Sequence, residues 1–259
     1  MQKLLGVSAV SYLNTAPFIY GLRNSDVINE VELMIDYPSE CARKLNNGEV
    51  EIGLVPVVAV LNNPNLHIIS DYCIGSTEYV RTVALFSNSP LDQIKRVYLD
   101  YQSLTSVMLI KILAKNLWKK SFEWEPLTQG HSFEGIEKHE GVLAIGDKVF
   151  GLEGNFLNNI DLASEWKRLT GLPMVFAVWA SRNSVDKGFV SRFNVALKAG
   201  VDSIERSVDA FQNLPISKAM AISYLKNNIS YTLKQDKKEA VSLFGKFINK
   251  INISGSNTF

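Results

Sequence analysis

Leu4-Leu5-Gly6-Val7-Ser8-Ala9-Val10-Ser11-Tyr12-Leu13-Asn14-Thr15-Ala16-Pro17 runs from apolar to polar to helical within fourteen residues. Leu4–Val10 reads as a buried strand, and a helix opens near Thr15 with Pro17 in its first turn, where a missing N–H costs nothing. The polar cluster therefore lies where a strand ends and a helix begins. Leu99-Asp100-Tyr101-Gln102-Ser103-Leu104-Thr105-Ser106 repeats the arrangement ninety residues later. A helix start presents unpaired backbone N–H groups and the positive end of the helix dipole. Two such ends facing one another would hold a small molecule bearing two carboxylates.

Outward from these junctions, β-branched apolar runs alternate with helical patterns, the rhythm of βα units around a mixed, mainly parallel sheet. Glu30–Asp36 reads as a strand, and Pro38 opens a helix that Asn47-Gly48 stops. Glu51–Pro56 is a short strand followed by a brief helical turn to Leu61. Further strands are expected at Arg81–Ser87, Arg96–Asp100, Val142–Ile145 and Met174–Ala180, with an amphipathic helix over Thr105–Leu117. The last third, from Val185, shows helical patterns and no further convincing strand, and the tail Ser254–Phe259 reads as frayed. This layout predicts an α/β protein of two lobes. Residues 1–86 and 178–259 form the first and residues 87–177 the second, with hinge crossovers near 81–87 and 174–180 and a ligand cleft between the lobes.

The chain has 259 residues, long enough to bury a sizeable core without metal or disulfide staples. A formal net charge of +1 removes the electrostatic case for nucleic acid or an anionic membrane as partner, and leaves a small neutral or anionic ligand open. Cys41 and Cys73 carry no metal-ligand spacing and read as buried small hydrophobes. Met1–Val10 could pass for a short secretory signal. It flows directly into the Ser11–Pro17 cluster, however, and reads better as the first strand of a cytoplasmic protein. No apolar stretch reaches the length of a membrane span.

Each candidate residue also has a plainer reading. Ser11, Asn14 and Thr15 could simply cap a helix, yet capping needs one such side chain and three crowd the strand end. Gln102, Ser103, Thr105 and Ser106 repeat the case: one hydroxyl caps, and the others can face a ligand. Gly146-Asp147 follows an apolar strand, Gly allowing close backbone approach and Asp147 serving either as a cap or as a base. The Arg81 fork suits a carboxylate, or else an ordinary ion pair. Ser76 and Thr77, in a loop containing Gly75, can add donors. His67, His131 and His139 lie in polar stretches without catalytic or metal spacing, and Trp118, Trp124, Trp166 and Trp179 read as packing residues. The sequence holds no nucleophile elbow, Walker loop or dinucleotide fingerprint, and neither metal nor cofactor is expected.

Taken together and in order, several segments resemble the chorismate dehydratase family of menaquinone biosynthesis by the futalosine route. They are Val10–Pro17, Ile52-Gly53-Leu54-Val55-Pro56-Val57, Asp71-Tyr72-Cys73-Ile74-Gly75, Val80-Arg81-Thr82-Val83, Leu99–Ser103, Thr105-Ser106-Val107, Ile145-Gly146-Asp147, and Thr170-Gly171-Leu172-Pro173 with Phe176-Ala177-Val178-Trp179. Leu104 stands where an arginine is expected in many relatives, and Thr77-Glu78-Tyr79 replaces a more Gly/Pro-like approach to Val80. The resemblance implies a two-lobed, type 2 periplasmic-binding-protein-like fold and a hydro-lyase acting on chorismate. It implies Asn14 and Asp147 as candidate catalytic groups, with Ser11, Thr15, Ser76, Arg81, Gln102, Ser103, Thr105, Ser106 and Gly146 binding substrate. Two other readings stay open. One is a solute-binding protein for a small organic anion. The other is the sister 1,4-dihydroxy-6-naphthoate synthase, which would be expected to use a cleft histidine.

Overall fold

The computed structural model describes residues 4–100, 103–127 and 133–254. In chain order these form β1 (Leu5–Val10), α1 (Ala16–Arg23), β2 (Val31–Asp36), α2 (Pro38–Asn47), β3 (Ile52–Pro56), α3 (Val57–Asn62) and β4 (His67–Ser76). Next come β5 (Val83–Ser87), β6 (Arg96–Asp100), α4 (Leu104–Leu113), β7 (Glu123–Leu127), β8 (Glu140–Ile145), β9 (Asn158–Asp161) and α5 (Leu162–Thr170). The chain ends with β10 (Met174–Ser181), α6 (Lys187–Val201), α7 (Ile204–Asp209), α8 (Lys218–Asn227), β11 (Ser230–Thr232) and α9 (Gln235–Ser254). It divides into two compact units, Met1–Ser76 with Val175–Lys234 and Thr77–Met174 with Gln235–Phe259.

Both units are built on one plan. In the first, the strand order is β11-β4-β10-β3-β1-β2, with β1 parallel to β2 and β3 and β10 antiparallel to β3. In the second, the order is β7-β6-β8-β5-β9, with β6 parallel to β7 and β8 and β5 antiparallel to β8. Each sheet is thus a parallel trio extended by an antiparallel strand, and in each that strand follows a crossing from the other unit. β3 is buried throughout and β1 almost so, as strands covered on both faces must be.

Two expected boundaries are corrected. The crossover strand starts at Val83 rather than Arg81, because Arg81 has φ +70° and breaks the extended run; β5 then pairs wholly within the second sheet. The C-terminal helix belongs with the second unit rather than the first. Phe244 and Phe247 of α9 pack edge-on against Trp166 at 5.5 and 5.9 Å, burying an indole whose Nε1 donates to the Pro173 carbonyl.

In the first unit, Phe18 of α1 meets Trp179, Tyr72 and Tyr231 at ring separations of 5.9, 6.1 and 5.2 Å, which ties the helix to β10, β4 and β11. On its other side α1 lies backbone to backbone against α6. A Cβ on Gly21 would overlap the Ala196 carbonyl, and one on Gly200 the Pro17 carbonyl. Gly200→Ala is therefore expected to cost roughly 2–3 kcal/mol in urea unfolding, since overpacking displaces backbone on both helices. Gly151→Ala, where nothing lies within 4 Å, should stay within about 0.5 kcal/mol of the unaltered chain.

Candidate active site

In the first unit the carboxyl ends of β1 and β2 are joined, the Ser11 N–H donating to the Asp36 carbonyl at 2.9 Å. The Asp36 carboxylate holds Lys44 of α2 through both oxygens at 2.8 Å and accepts the hydroxyl of buried Ser8 at 2.8 Å. A compact polar knot thus fixes the edge from which the Ser11–Pro17 segment departs. Leu13–Thr15 forms a 3-10 turn leading into α1, and none of the three expected caps makes a side-chain capping bond. Instead the fully buried Thr15 hydroxyl donates to Asn14 Oδ1 at 3.1 Å, and the Tyr231 hydroxyl donates to the Asn14 carbonyl at 3.0 Å. Asn14 itself is half-buried. Ser11 lines an open groove with Ala16, Ile19, Tyr20, Arg23 and Phe211. Ser76 closes β4 and is buried, so it is a strand residue and not part of a loop.

In the second unit the equivalent edge is formed by the ends of β6 and β8. Ser103 caps α4, accepting the Ser106 N–H at 3.1 Å and donating its hydroxyl to Ser106 Oγ at 2.8 Å. These two hydroxyls satisfy each other and hold the helix start rigid, and Thr105 beside them is buried as well. Leu104, the first residue of α4, is 48% exposed, an apolar side chain at the mouth of a polar turn. Gln102 lies outside the described residues. Gly146 takes φ +70°, a conformation that favours glycine, and its N–H donates to the Thr82 carbonyl at 2.9 Å. Asp147 sits half-buried inside the 3-10 turn Gly146–Gly151 rather than capping an α-helix. Beside it Lys148 reaches the wholly buried Asp100 at 2.5 Å.

Arg81, expected to offer its fork to a substrate carboxylate, directs it to Glu153 in two hydrogen bonds of 2.7 Å and lies over the Phe150 ring at 5.1 Å. Its left-handed backbone is held by an N–H bond to Asp161 at 2.8 Å. Asp161 also caps α5 through the Ser164 N–H, and burial pushes its carboxyl above the usual range. Arg81 therefore braces the 146–153 segment of its own unit.

The Ser8–Asp36–Lys44 knot, the Asp100–Lys148 pair and Tyr231 were not among the residues read from sequence. Asp36 and Asp100 each close an apolar strand, and that is the signal that marks them. Tyr231 stands in a three-residue strand too short to read. His67 and His139 are exposed, His139 with Nδ1 3.0 Å from the Gln93 carbonyl, and His131 lies outside the described residues. Among the described residues no cluster of His, Cys, Asp and Glu is arranged to hold a metal. Cys41 and Cys73 are buried and not joined in a disulfide.

Two outcomes follow from these environments. Burial pushes the Cys41 thiol up to about 12, so it stays neutral through mildly alkaline pH. A thiol reagent at pH 8 should label neither cysteine in the native chain and both once denaturant is added. Lys148→Met leaves the Asp100 carboxylate buried without its cation and should cost about 3 kcal/mol, most of it regained in Asp100→Asn/Lys148→Met. Chemical denaturation of the three variants reads both values.

A chorismate dehydratase of Thermus thermophilus is 29% identical over 219 residues, covering 77% of this chain and 78% of that protein. The fold is similar to that of an Archaeoglobus fulgidus protein, with a TM-score of 0.75 at 15% identity, covering 96% of this chain and 98% of that one. It is also similar to a Candida albicans protein described as having the generic periplasmic binding protein fold, with a TM-score of 0.67 at 16% identity, covering 97% and 95% of the two chains. The α/β architecture is thus periplasmic-binding-protein-like. The sequence profile of the menaquinone biosynthesis family matches residues 5–250, nearly the whole length, and the chain belongs to that family.

Proposed function

We propose that this chain is a chorismate dehydratase, removing water from chorismate to give 3-[(1-carboxyvinyl)oxy]benzoate in the futalosine branch of menaquinone biosynthesis. The observation that carries this reading is family membership over residues 5–250 together with a dehydratase relative matched along 77% of the chain. The local chemistry fits it. Chorismate is a dianion, and the segments at both sheet edges supply hydroxyls, amides and helix-start N–H groups, which bind carboxylates without a metal.

The reaction removes a ring proton and the neighbouring hydroxyl, and the ring becomes aromatic. The lost proton is vinylogous to the ring carboxylate, so negative charge developing on its removal spreads into that carboxylate, where fixed donors stabilise it. Because aromatisation supplies a large driving force, orientation and charge stabilisation suffice where no strong base stands ready. Ser11 and Asn14 serve the substrate in the first unit, Asn14 orienting the departing hydroxyl or the reacting face, while Thr15 stands behind Asn14 with its hydroxyl on Oδ1. The second unit's own candidates are Gln102, Thr105 and Gly146, beside a helix start that Ser103 and Ser106 hold together. The proton goes to the enolpyruvyl carboxylate of the substrate itself or to Asp147. The enzyme works in the cytoplasm with a small-molecule substrate, and neither nucleic acid nor membrane takes part. Among the described residues no helix is long and apolar enough to cross a membrane.

Purified protein incubated with chorismate should generate an aromatic product, followed by ultraviolet absorbance. Tight binding of an unrelated organic anion without turnover would instead favour a solute-binding role. Asn14→Ala should lower kcat by about 100-fold while the fold persists. Asp147→Asn separates the two bases: near-normal turnover assigns the proton to the substrate carboxylate, and a loss of about 100-fold or more assigns it to Asp147.

A further inference from the structure

We propose that Tyr231 and Thr15 are positioning residues that fix Asn14 as a hydrogen-bond donor toward substrate. The proposal rests on the dehydratase reading above and names residues through which Asn14 would act. Thr15 and Tyr231 both bond to Asn14, one at the side chain and one at the backbone. The Thr15 hydroxyl donates to Oδ1, which settles which end of the carboxamide is occupied. Nδ2 makes no hydrogen bond to any described residue, so the amide presents its two N–H donors from a half-buried position. Such a group donates to a carboxylate or to a departing hydroxyl, and it has no capacity to remove a proton.

Tyr231 holds the backbone of the same residue from 217 positions further along the chain. The tyrosine is 5% exposed, its ring edge-on to Phe18 at 5.2 Å, and its one polar atom ends on the Asn14 carbonyl. β11 pairs with β4 at Ser230↔Gly75 and Thr232↔Tyr72, with an irregularity between the two pairs where Tyr231 sits. The extra residue falls in β4, opposite Tyr231, so the partner strand takes up the step in register. Burial also holds the phenol well above its usual pKa, so it remains a donor at any working pH. A 3-10 turn has poorer hydrogen-bond geometry than an α-helix, and this one lacks a side-chain cap; the two hydroxyls supply the missing restraint.

Tyr231→Phe keeps the ring and deletes only the hydroxyl. It should lower kcat on chorismate about tenfold with little change in KM, because misplacement of a group that acts in the transition state appears in kcat. Thr15→Val should do the same and Thr15→Ser should restore turnover. In an Asn14→Ala background, Tyr231→Phe should change kcat less than about twofold, since the two act through one group. Equal losses in both backgrounds, or wild-type kcat in both single variants, would overturn the proposal. So would a loss that merely tracks unfolded protein in thermal melts. A readout independent of turnover is the side-chain amide pair of Asn14 in a nitrogen-15 spectrum, assigned by its disappearance in Asn14→Ala. Those resonances should shift and broaden in Tyr231→Phe and Thr15→Val and stay unchanged in Thr15→Ser. If the unaltered chain leaves chorismate intact, the dehydratase reading fails while the resonances still decide the positioning.

Discussion

Parallel pairing of β1 with β2 and β3, and of β6 with β7 and β8, is the constraint from which the candidate site follows. Parallel strands leave a sheet at the same edge and must return through crossover helices. The exits of β1, β2, β3 and β6 lead into helix starts, where orphan N–H groups collect by geometry alone. Ser11, Asn14 and Thr15 follow β1; Ser103, Thr105 and Ser106 follow β6; Gly146 and Asp147 follow β8. The antiparallel strands β10 and β5 complete the sheets from the other side without changing which edge carries the polar turns.

Three cations near these edges are held by anions of their own unit. Lys44 is held by Asp36, Lys148 by Asp100 and Arg81 by Glu153. Two of these three anions close strands; Lys44 comes from the helix that follows its partner's strand and Lys148 from the turn after the neighbouring β8, so the pairs clamp the edge geometry. On the proposed reading, recognition of a dianion then falls to neutral hydroxyl, amide and backbone donors. Such donors bind a carboxylate directionally, and several of them stabilise spread-out charge better than one point charge does. Leu104, exposed at the first residue of α4 where many relatives are expected to carry arginine, continues the same tendency.

Strands that enter at apolar runs and leave at polar junctions were legible in the sequence: β1, β2, β3, β6, β8 and β10 fall within one or two residues of expectation. So were the α2 stop, where Gly48 adopts φ +72°, and the buried cysteines. β7, β9 and β11 were not, because edge strands of three to five residues with polar or proline content lack the pattern that marks a buried strand. The place of α9 was hidden for a different reason: an amphipathic helix announces that it has an apolar face, not which sheet that face will meet. Of the site, residue types and junctions were readable. Their partners were not, since Thr15–Asn14 and Ser103–Ser106 look like capping clusters until geometry shows one pair capping and the other holding a carboxamide.

That last contrast separates the two strand-to-helix junctions by role. At α4 the Ser103 side chain completes the helix start, and the hydroxyls of Ser103 and Ser106 are engaged with each other. At α1 the helix start is left without a side-chain cap, and the nearby hydroxyls brace a single asparagine instead. A cap uses a side chain to satisfy backbone donors; the α1 junction keeps side-chain donors available and recruits a tyrosine from the far end of the sequence to hold them still. For an elimination driven by aromatisation, the barrier that remains is one of orientation and transient charge. A braced neutral donor meets that demand, and on the proposed reading the α1 junction needs only one donor fixed against the reacting face.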